Sequence, residues 1–150
     1  MKQVEMYTDG ACRGNPGKGG FGTVIVYKGK EKVLTDGWID TTNNRMELYA
    51  AIAGLEALKE PCKVKLYSDS KYLVDGMNKG WAESWRRNSW KKADKKPALN
   101  VDLWSRLLLL TERHEVEFIW VKGHDGHEYN ERCDALATAS ADGAMKKESL

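Results

Sequence analysis

Alternating polar and apolar positions open the chain and predict a β-strand from about Gln3 to Asp9. Two further stretches, residues 21 to 27 and 33 to 39, are rich in β-branched and aromatic residues and are joined by the hairpin signal Lys-Gly-Lys at 28–30. Such a succession is typical of an antiparallel meander of three strands. The segment YTDGACRGNPGKGG, which spans the junction of the first two strands, holds five glycines.

This glycine-rich segment fits neither of two phosphate-binding templates. A P-loop needs a glycine where the chain has Cys12, and its Gly-Lys pair must continue into Ser or Thr rather than Gly19. A dinucleotide-binding fingerprint must open a helix, whereas residues 21 to 27 predict a strand. We therefore expect turn glycines that supply positive φ and allow close backbone approach, and the candidate chemistry passes to Asp9.

The hydrophobic period changes to that of a helix after the meander. Leu48, Ile52, Leu55 and Leu58 form one apolar stripe, which predicts a helix over residues 44 to 59. The remaining elements follow in order: a strand at 64–67, a helix capped by Ser70 and reaching about residue 77, a helix near 81–87, a helix capped by Asn100 over 101–112, a strand at 116–121, a helix at about 131–140, and a polar tail at 141–150 that we expect to fray.

This order predicts a single domain of the α/β class, residues 1 to 150, with a five-stranded mixed sheet flanked by helices. Three strands form the antiparallel meander. The first helix can make a right-handed crossover, which allows the fourth strand to lie parallel beside the first. Asp9 and Asp69 then stand at neighbouring strand ends, where open α/β sheets bind ligands.

Composition narrows the setting in which the protein works. No apolar stretch has the length of a signal peptide or a membrane span, so we expect a cytoplasmic protein without membrane contact. Cys12, Cys62 and Cys133 are widely spaced and include no C-x-x-C pair, which argues against disulfides and against a cysteine-based zinc site. A zinc site from His124, His127 and Cys133 is allowed by the spacing, although no fourth ligand is evident.

The net charge of +2 conceals an uneven distribution. Residues 79 to 96 carry a net charge of +5, and the rest of the chain is mildly acidic. The segment's cations are Lys79, Arg86, Arg87, Lys91, Lys92, Lys95 and Lys96, and they interleave with Trp81, Trp85 and Trp90. Aromatic faces beside such charge predict a nucleic-acid surface. A solvated basic helix whose tryptophans pack on the body of the domain is the alternative.

Four acids are the candidate catalytic groups, namely Asp9, Glu47, Asp69 and Asp134. Each has an ordinary alternative role, because Asp-Gly is a common turn pair and the other three stand where acids cap or favour helix N-termini. Two are expected at strand ends and two in first helical turns, so all four can converge on one edge of the sheet. Two carboxylates ~5 Å apart repel by about 3 kcal/mol at an effective dielectric of 20, so a cluster needs bound cations or shared protons.

The chemistry of such a cluster points to divalent cations. Oxygen-only ligands suit Mg²⁺, with Mn²⁺ as a substitute, and two such ions would balance four negative charges. Two ions ~3.5 to 4 Å apart can hold an attacking water and a leaving oxygen on either side of a phosphorus, which predicts phosphodiester hydrolysis. His124 lies ten positions before Asp134, in a loop of small and polar residues. It could shuttle protons or help the product leave, or it could be an ordinary polar surface residue.

Five segments carry the most specific signal in the chain: YTDGACRGNPGKGG, TTNNRMELYAAI, LYSDS, WKKADKKPALNVDLW and WVKGHDGHEYNERCD. Together they closely resemble bacterial ribonuclease HI, the type 1 ribonucleases H that cut the RNA strand of RNA–DNA hybrids, and the likeness extends from about residue 3 to 140. The resemblance implies a ribonuclease H-like fold and an endonuclease that leaves 3′-hydroxyl and 5′-phosphate ends. It also implies that the four acids bind the metal ions and that His124 assists turnover.

Selection of RNA requires a contact with the 2′-hydroxyl, which both donates and accepts hydrogen bonds. Amide side chains can do both, and Asn15, Asn43 and Asn44 lie on two loops that flank the first two acids, although a turn pair and a helix N-cap would explain them equally. The resemblance implies that they follow the RNA minor groove together with the Cys12 backbone. Lys71 departs from the family's frequent glutamine, and a cation donates but cannot accept, so hydroxyl discrimination is open at this position.

For the DNA strand, the resemblance implies a basic protrusion at about residues 79 to 97, with the cations and tryptophans named above, and a phosphate pocket at Thr42 and Asn100. We expect a monomer with no obligate protein partner. A transposase- or integrase-like DNA cutter is one alternative, although the asparagines and the compact size speak against it. A catalytically silent hybrid-binding module is another, although all four acids and His124 are present.

Overall fold

The computed structural model describes residues 1–123 and 126–148 of the chain. Its strands are β1 (Lys2–Arg13), β2 (Gly17–Tyr27), β3 (Lys30–Thr41), β4 (Cys62–Ser68) and β5 (Glu115–Trp120). Its helices are α1 (Asn43–Glu56), α2 (Lys71–Asn78), α3 (Trp81–Arg87), α4 (Val101–Arg113) and α5 (Glu128–Asp142). No helix within these residues is long and apolar enough to cross a membrane.

The sheet has the predicted mixed topology, with the strand order β3-β2-β1-β4-β5. Strand β2 pairs antiparallel with β1 and β3, while β4 lies parallel to β1 and β5. The parallel register pairs Tyr7 of β1 with Tyr67 of β4. Asp9 lies two residues further along β1, and Asp69 lies two residues further along the chain, just after the end of β4. The predicted placement of these two acids at neighbouring positions is therefore confirmed.

The two faces of the sheet carry separate hydrophobic layers, because successive side chains of a strand point to opposite faces. On one face, Met6 of β1 packs with Leu48 of α1 and Trp104 of α4 in the main core. On the other face, Tyr7 packs with Cys133 of α5. Burial of each large apolar side chain contributes about 2 kcal/mol, so both layers hold their helices firmly against the sheet.

The glycine-rich segment is mostly strand, which corrects the prediction of a loop. Strands β1 and β2 run through it, and only residues 14–16 turn between them, with Gly14 at φ +84°. The other glycines make room for helices: a Cβ on Gly22 would lie 2.7 Å from the carbonyl oxygen of Cys133, and one on Gly20 would lie 2.5 Å from the backbone of α5. The expected close backbone approach is confirmed, and its role is to seat α5 on the sheet.

The helix caps agree with the sequence prediction in part. Ser70 caps α2 as predicted. Helix α1 is capped by Thr42, whose Oγ1 accepts a hydrogen bond from the Arg45 amide at 3.2 Å, so the helix N-cap offered as an alternative explanation of Asn43 and Asn44 does not apply. Asn100 directly precedes α4, but it has a left-handed backbone (φ 59°) and its side chain makes no capping bond. The asparagines at the starts of α1 and α4 therefore do not cap these helices with their side chains, although the sequence around each is typical of a cap.

The C-terminal end of the chain is better ordered than predicted. Helix α5 begins three residues earlier than expected, which puts Asp134 in its second turn rather than its first. Beyond the helix, the Lys146 carbonyl accepts a hydrogen bond from the Ile39 amide at 2.8 Å, and Glu148 forms an ion pair with Arg45 at 2.8 Å. The expectation of a frayed tail is therefore wrong as far as Glu148, because β3 and α1 bind it.

Candidate active site

Asp9, Glu47 and Asp69 bring their carboxylates together at one edge of the sheet. One oxygen from each lies within 4.8 Å of the other two. Asp9 is 6% exposed and Glu47 is 4% exposed, while Asp69 is partly buried. Within residues 1–123 and 126–148, no other group of three His, Cys, Asp or Glu side chains converges in this way.

Two packing features place these acids. The parallel register of β1 and β4 sets Asp9 beside Asp69. Glu47 comes from the second turn of α1, and this helix approaches β1 at Gly10, where a Cβ would lie 2.6 Å from the Glu47 backbone nitrogen. A side chain at position 10 would therefore push Glu47 away from Asp9.

Asp134 stands slightly apart from the other three acids. It lines the same open cavity as Asp9, Glu47 and Asp69, and its charge helps to raise the pKa of Asp9. It does not belong to the group within 4.8 Å. The predicted four-acid site thus consists of a tight group of three and a fourth acid on the wall of the same cavity, contributed by α5.

The electrostatics of the group reflect burial and crowding. Burial, together with the charges of Asp69 and Asp134, raises the pKa of Asp9 from 3.8 to about 8. Burial, together with Asp9 and Asp69, raises the pKa of Glu47 well above its usual range. Two hydrogen bonds partly offset this rise for Asp9: its Oδ1 accepts from the Gly10 amide at 2.9 Å, and a side-chain hydrogen bond with Glu47 also lowers its pKa. The protein therefore holds acids where their negative charge is unfavourable on its own.

One buried oxygen identifies what the group lacks. Glu47 Oε1 is fully buried, and no donor among the described residues hydrogen-bonds to it. Leaving a buried carboxylate oxygen without a partner is costly, and carboxylate oxygens are the ligands that Mg²⁺ and Mn²⁺ prefer. The residues present therefore fit a divalent cation, held between Asp9, Glu47 and Asp69.

The predicted RNA-contacting residues surround the same cavity. Cys12, Asn43, Asn44 and Lys71 all line it. Asn15 lies in the turn between β1 and β2, where its Oδ1 accepts a hydrogen bond from the Asn43 amide at 3.1 Å. This bond ties the turn to the start of α1, so the side chains from the two loops form one continuous rim.

Lys71 has a defined position on that rim. Its ammonium nitrogen lies 5.0 Å from the centroid of the Trp120 ring, within cation–π range. Trp120 in turn donates from Nε1 to the Asp69 carbonyl at 3.1 Å. Lys71 therefore lines the acid cavity with its ammonium group over the ring of Trp120.

The predicted DNA-phosphate pocket is organised around a residue that the sequence reasoning did not single out. Thr42 accepts from the Arg45 amide, and Asn100 Oδ1 accepts from the Arg45 guanidinium at 3.2 Å. Arg45 also pairs with Asp102 at 2.7 Å and with Glu148 at 2.8 Å. Thr42 and Asn100 are thus brought together, as the prediction requires, by an ion-pair network. Its only sequence signal was an arginine in the first turn of α1.

The basic protrusion is a mixture of the two alternatives considered for it. Trp81 is 42% exposed, whereas Trp85 and Trp90 are half-buried against the main core, and Trp85 contacts the edge of Trp104. Arg86 pairs with Glu83 of its own helix and with Glu112 of α4, and Arg87 lies within 3.9 Å of Glu83. Lys91, Lys92, Lys95 and Lys96 form no ion pair with any described residue, and they follow α3 in an irregular segment. These four lysines carry most of the available charge.

His124 lies outside the described residues, so its predicted role stays a prediction. The alternative zinc site would need Cys133 as a ligand, and the state of this thiol argues against it. Cys133 is buried, its thiol donates to the Tyr7 carbonyl at 3.2 Å, and burial raises its pKa to about 12. A thiol in that state is a poor zinc ligand, because the metal binds the thiolate.

Sequence reasoning also missed an aromatic group behind the acids. Tyr7, Tyr67 and Tyr129 stack face to face, with centroid distances of 4.9 Å and 4.5 Å. A tyrosine two positions before the acid on both parallel strands was the available signal. Without the register, nothing indicated that the two rings would meet.

Comparison with known proteins gives a consistent result. The RNase H family model matches residues 1–142. The chain is 62% identical to the ribonuclease H of Desulforamulus reducens, over 94% of this chain and 89% of the relative. It is 57% identical to that of Proteus mirabilis, over 98% and 92%, and 55% identical to that of Escherichia coli O9:H4, over 94% and 90%.

Solved structures agree with the sequence relatives. LC9-RNase H1, a type 1 RNase H with the type 2 active-site motif, has a TM-score of 0.85 and 32% identity, covering 96% of this chain and 74% of that one. LC11-RNase H1, solved in complex with an RNA/DNA hybrid, has a TM-score of 0.66 and 25% identity, covering 93% and 96%. With a matching sheet, a crowded acid group and relatives along nearly its whole length, this chain belongs to the ribonuclease H family.

Proposed function

We propose that the protein is an endonuclease that hydrolyses the RNA strand of RNA–DNA hybrids with two divalent cations, Mg²⁺ or Mn²⁺, leaving 3′-hydroxyl and 5′-phosphate ends. The observation that carries this proposal is the group of three acids within 4.8 Å, with Glu47 Oε1 buried and unpartnered among the described residues. Membership of the ribonuclease H family supports the reaction, and the hybrid complex of LC11-RNase H1 supports the substrate.

Each acid has a role in this proposal. Asp9, Glu47 and Asp69 would hold one cation, and Asp134, on the cavity wall, would join Asp9 in holding the second. When bound, the cations supply positive charge for the reacting phosphate and for the attacking water. The crowded carboxylates need that charge, which is why the raised pKa of Asp9 supports the assignment. His124 moves a proton or assists product release.

The rim recognises the RNA strand. Asn15, Asn43 and Asn44 each offer an amide that can donate to and accept from a 2′-hydroxyl, and the Cys12 backbone lines the same cavity as Asn43, Asn44 and Asp9. Lys71 differs because an ammonium only donates. We therefore assign it a contact with a phosphate or with the lone pair of a hydroxyl.

The DNA strand binds away from the RNA-contacting rim, at the phosphate pocket and the basic protrusion. Its phosphate sits at Thr42 and Asn100, and its backbone runs along the protrusion. The contacts there come from Trp81, Lys91, Lys92, Lys95 and Lys96, while Arg86, Arg87, Trp85 and Trp90 shape the protrusion and contribute less direct contact because they are engaged or packed within the domain. Binding through phosphates makes the affinity fall steeply with salt. The protein works as a monomer in the cytoplasm without an obligate protein partner.

A cleavage assay on one sequence, prepared as RNA–DNA, RNA–RNA and DNA–DNA duplexes, tests the proposal. We expect cleavage of the RNA of the hybrid only, in Mg²⁺ or Mn²⁺ and not in EDTA, with 3′-hydroxyl and 5′-phosphate products. D69N should abolish cleavage while the protein stays folded. D75N is the matched control, because Asp75 lies on α2 away from the acid group.

Three results would contradict this function. Cleavage of duplex DNA would favour a transposase- or integrase-like enzyme. Salt-sensitive hybrid binding without product in either metal would favour a silent binding module. Equal activity of D69N and D75N would remove the acid group from the mechanism.

A further inference from the structure

Three tyrosines form a continuous aromatic stack directly behind the acid group; we call Tyr67, Tyr7 and Tyr129 the tyrosine stack. The central ring, Tyr7, lies 4.9 Å from Tyr67 with an interplanar angle of 10°, and 4.5 Å from Tyr129 with an angle of 17°. Tyr7 is only 6% exposed, and the outer two rings are half-buried. Parallel, offset rings at these distances attract one another beyond their apolar burial.

The position of the stack connects it to the acids. Residues two apart on a strand share a face, so Tyr7 lies on the Asp9 face of β1 and Tyr67 continues that face of β4 towards Asp69. Tyr129 is the second residue of α5, the helix that carries Asp134. The stack therefore joins the three elements that supply three of the four acids.

Asp134 depends on this connection more than the other acids do. The register of β1 with β4 fixes Asp9 and Asp69, and the close approach at Gly10 fixes Glu47. Asp134 lies outside that tight group, and its position in the cavity wall depends on how α5 packs on the sheet. Gly22 of β2 meets α5 at Cys133, and Gly20 and Gly37 meet it near its C-terminal end, whereas the tyrosine stack contacts its first turn through Tyr129. The direction of the helix at Asp134 therefore depends on both sets of contacts.

Val121 and His127, which lie on either side of residues 124 and 125, also contact β1 or β4. The Val121 amide donates to the Ser68 carbonyl at 2.9 Å. The His127 ring lies 6.4 Å from Tyr7 and 6.2 Å from Tyr67. Both residues therefore contact the last residues of β4.

We propose that the tyrosine stack is a positioning element that holds the first turn of α5 on β1 and β4, so that Asp134 faces Asp9 across the cavity. The inference rests on the proposed function, since Asp134 is taken there as a ligand of the second cation. Removal of one outer ring loosens the N-terminal half of α5 and moves Asp134 away from Asp9. Loss of the hydroxyl alone leaves the ring contacts intact.

The test compares Y129A with Y129F. For Y129A we expect the kcat for hybrid cleavage to fall roughly ten-fold or more, because small misplacements of reacting groups have large effects on rate, while the KM for the hybrid stays within about two-fold. Isothermal titration without substrate should show weaker Mn²⁺ binding for Y129A. Y129F should match the wild type in both measurements. Y27A is the control, because Tyr27 is a half-buried ring at the far end of β2.

Two results would overturn the proposal. The first is a folded Y129A with wild-type kcat and wild-type Mn²⁺ affinity. The second is an equal loss of kcat in Y129A and Y27A that follows their melting temperatures, which would reduce the stack to general stability. If Y129A is too unstable to assay, Y67L with Y67F as its rescue makes the same comparison. A wild type that binds Mn²⁺ but never cleaves the hybrid would refute the proposed function, while the Mn²⁺ titrations would still test the stack.

Discussion

Replacement of Asp9 by Asn should abolish cleavage and yet stabilise the cation-free protein. Asp9 is 6% exposed and faces Asp69 and Asp134. Its Oδ1 accepts from the Gly10 amide, and an asparagine oxygen can keep that bond. D9N therefore removes a titratable charge with little change in shape, which isolates the electrostatic contribution.

The magnitude follows from the pKa of Asp9. In the folded, cation-free protein it is about 8, against an ordinary value of 3.8. At pH 7 Asp9 is ionised in the unfolded chain. On folding, the carboxylate must either bind a proton or remain ionised in a buried site beside other acids, and both cost free energy. About three pH units at 1.36 kcal/mol each give ~4 kcal/mol, and proton sharing with Glu47 reduces the expected gain of D9N to ~2 to 4 kcal/mol.

The pH dependence has a definite sign. Between pH 3.8 and about 8 the folded state binds more protons at Asp9 than the unfolded state does, so this residue makes the cation-free wild type less stable as the pH rises. The advantage of D9N should reach its full size near pH 8 and should shrink to about 0.5 kcal/mol at pH 4, just above the ordinary pKa of 3.8.

Urea unfolding in EDTA at several pH values measures this difference, with D75N as the control for loss of an acid elsewhere. Addition of Mg²⁺ should stabilise the wild type and not D9N, because binding to the folded state alone raises stability. A D9N protein that is no more stable than the wild type at pH 7.5 would refute the reasoning. So would a gain of the same size at pH 4, since it could not come from titration.

Three further predictions concern packing, substrate charge and the C-terminal contact. G22A should lower the free energy of unfolding by ~2 to 3 kcal/mol, because its Cβ would lie 2.7 Å from the Cys133 carbonyl; an unchanged urea midpoint would show that α5 can shift freely. K71A should raise the KM for the hybrid and lower the slope of log KM against log salt by about one, with kcat little changed; an unchanged slope would exclude a phosphate contact. E148Q should lower stability by ~1 to 2 kcal/mol in urea unfolding through loss of its ion pair with Arg45, whose side chain is only 15% exposed; no loss would mean that the tail contact is incidental.

Much of the architecture could be predicted because the hydrophobic pattern of each short stretch indicates whether it forms a strand or a helix. Helix α3 was predicted over residues 81 to 87 and is found there, and the Lys-Gly-Lys hairpin joins β2 to β3 as expected. Strand alternation and helical period survive folding unchanged, since each reflects which face of an element is buried. The handedness of crossovers then restricted the topology enough to put Asp9 beside Asp69.

Local patterns misled where a residue serves a distant partner. Gly19 and Gly20 resemble turn residues, yet they form strand, with α5 packed directly on Gly20 and with Thr41 and Met46 packed against Gly19. Asn100 looks like a helix cap, but its side chain bonds Arg45 and Tyr72 instead. The tail looked free because its anchors, on β3 and α1, lie about a hundred residues earlier in the chain.

By itself the sequence determined most of the elements and the class of fold and singled out four candidate acids, because strand alternation, helical period and ordered motifs are properties of short stretches. Only the tertiary structure decided that three acids crowd within 4.8 Å while Asp134 stands on the wall, and that three tyrosines meet behind them. Those distances depend on strand register and on how closely each helix can approach the sheet. Both are set by contacts between residues far apart in the chain, to which no local pattern is sensitive.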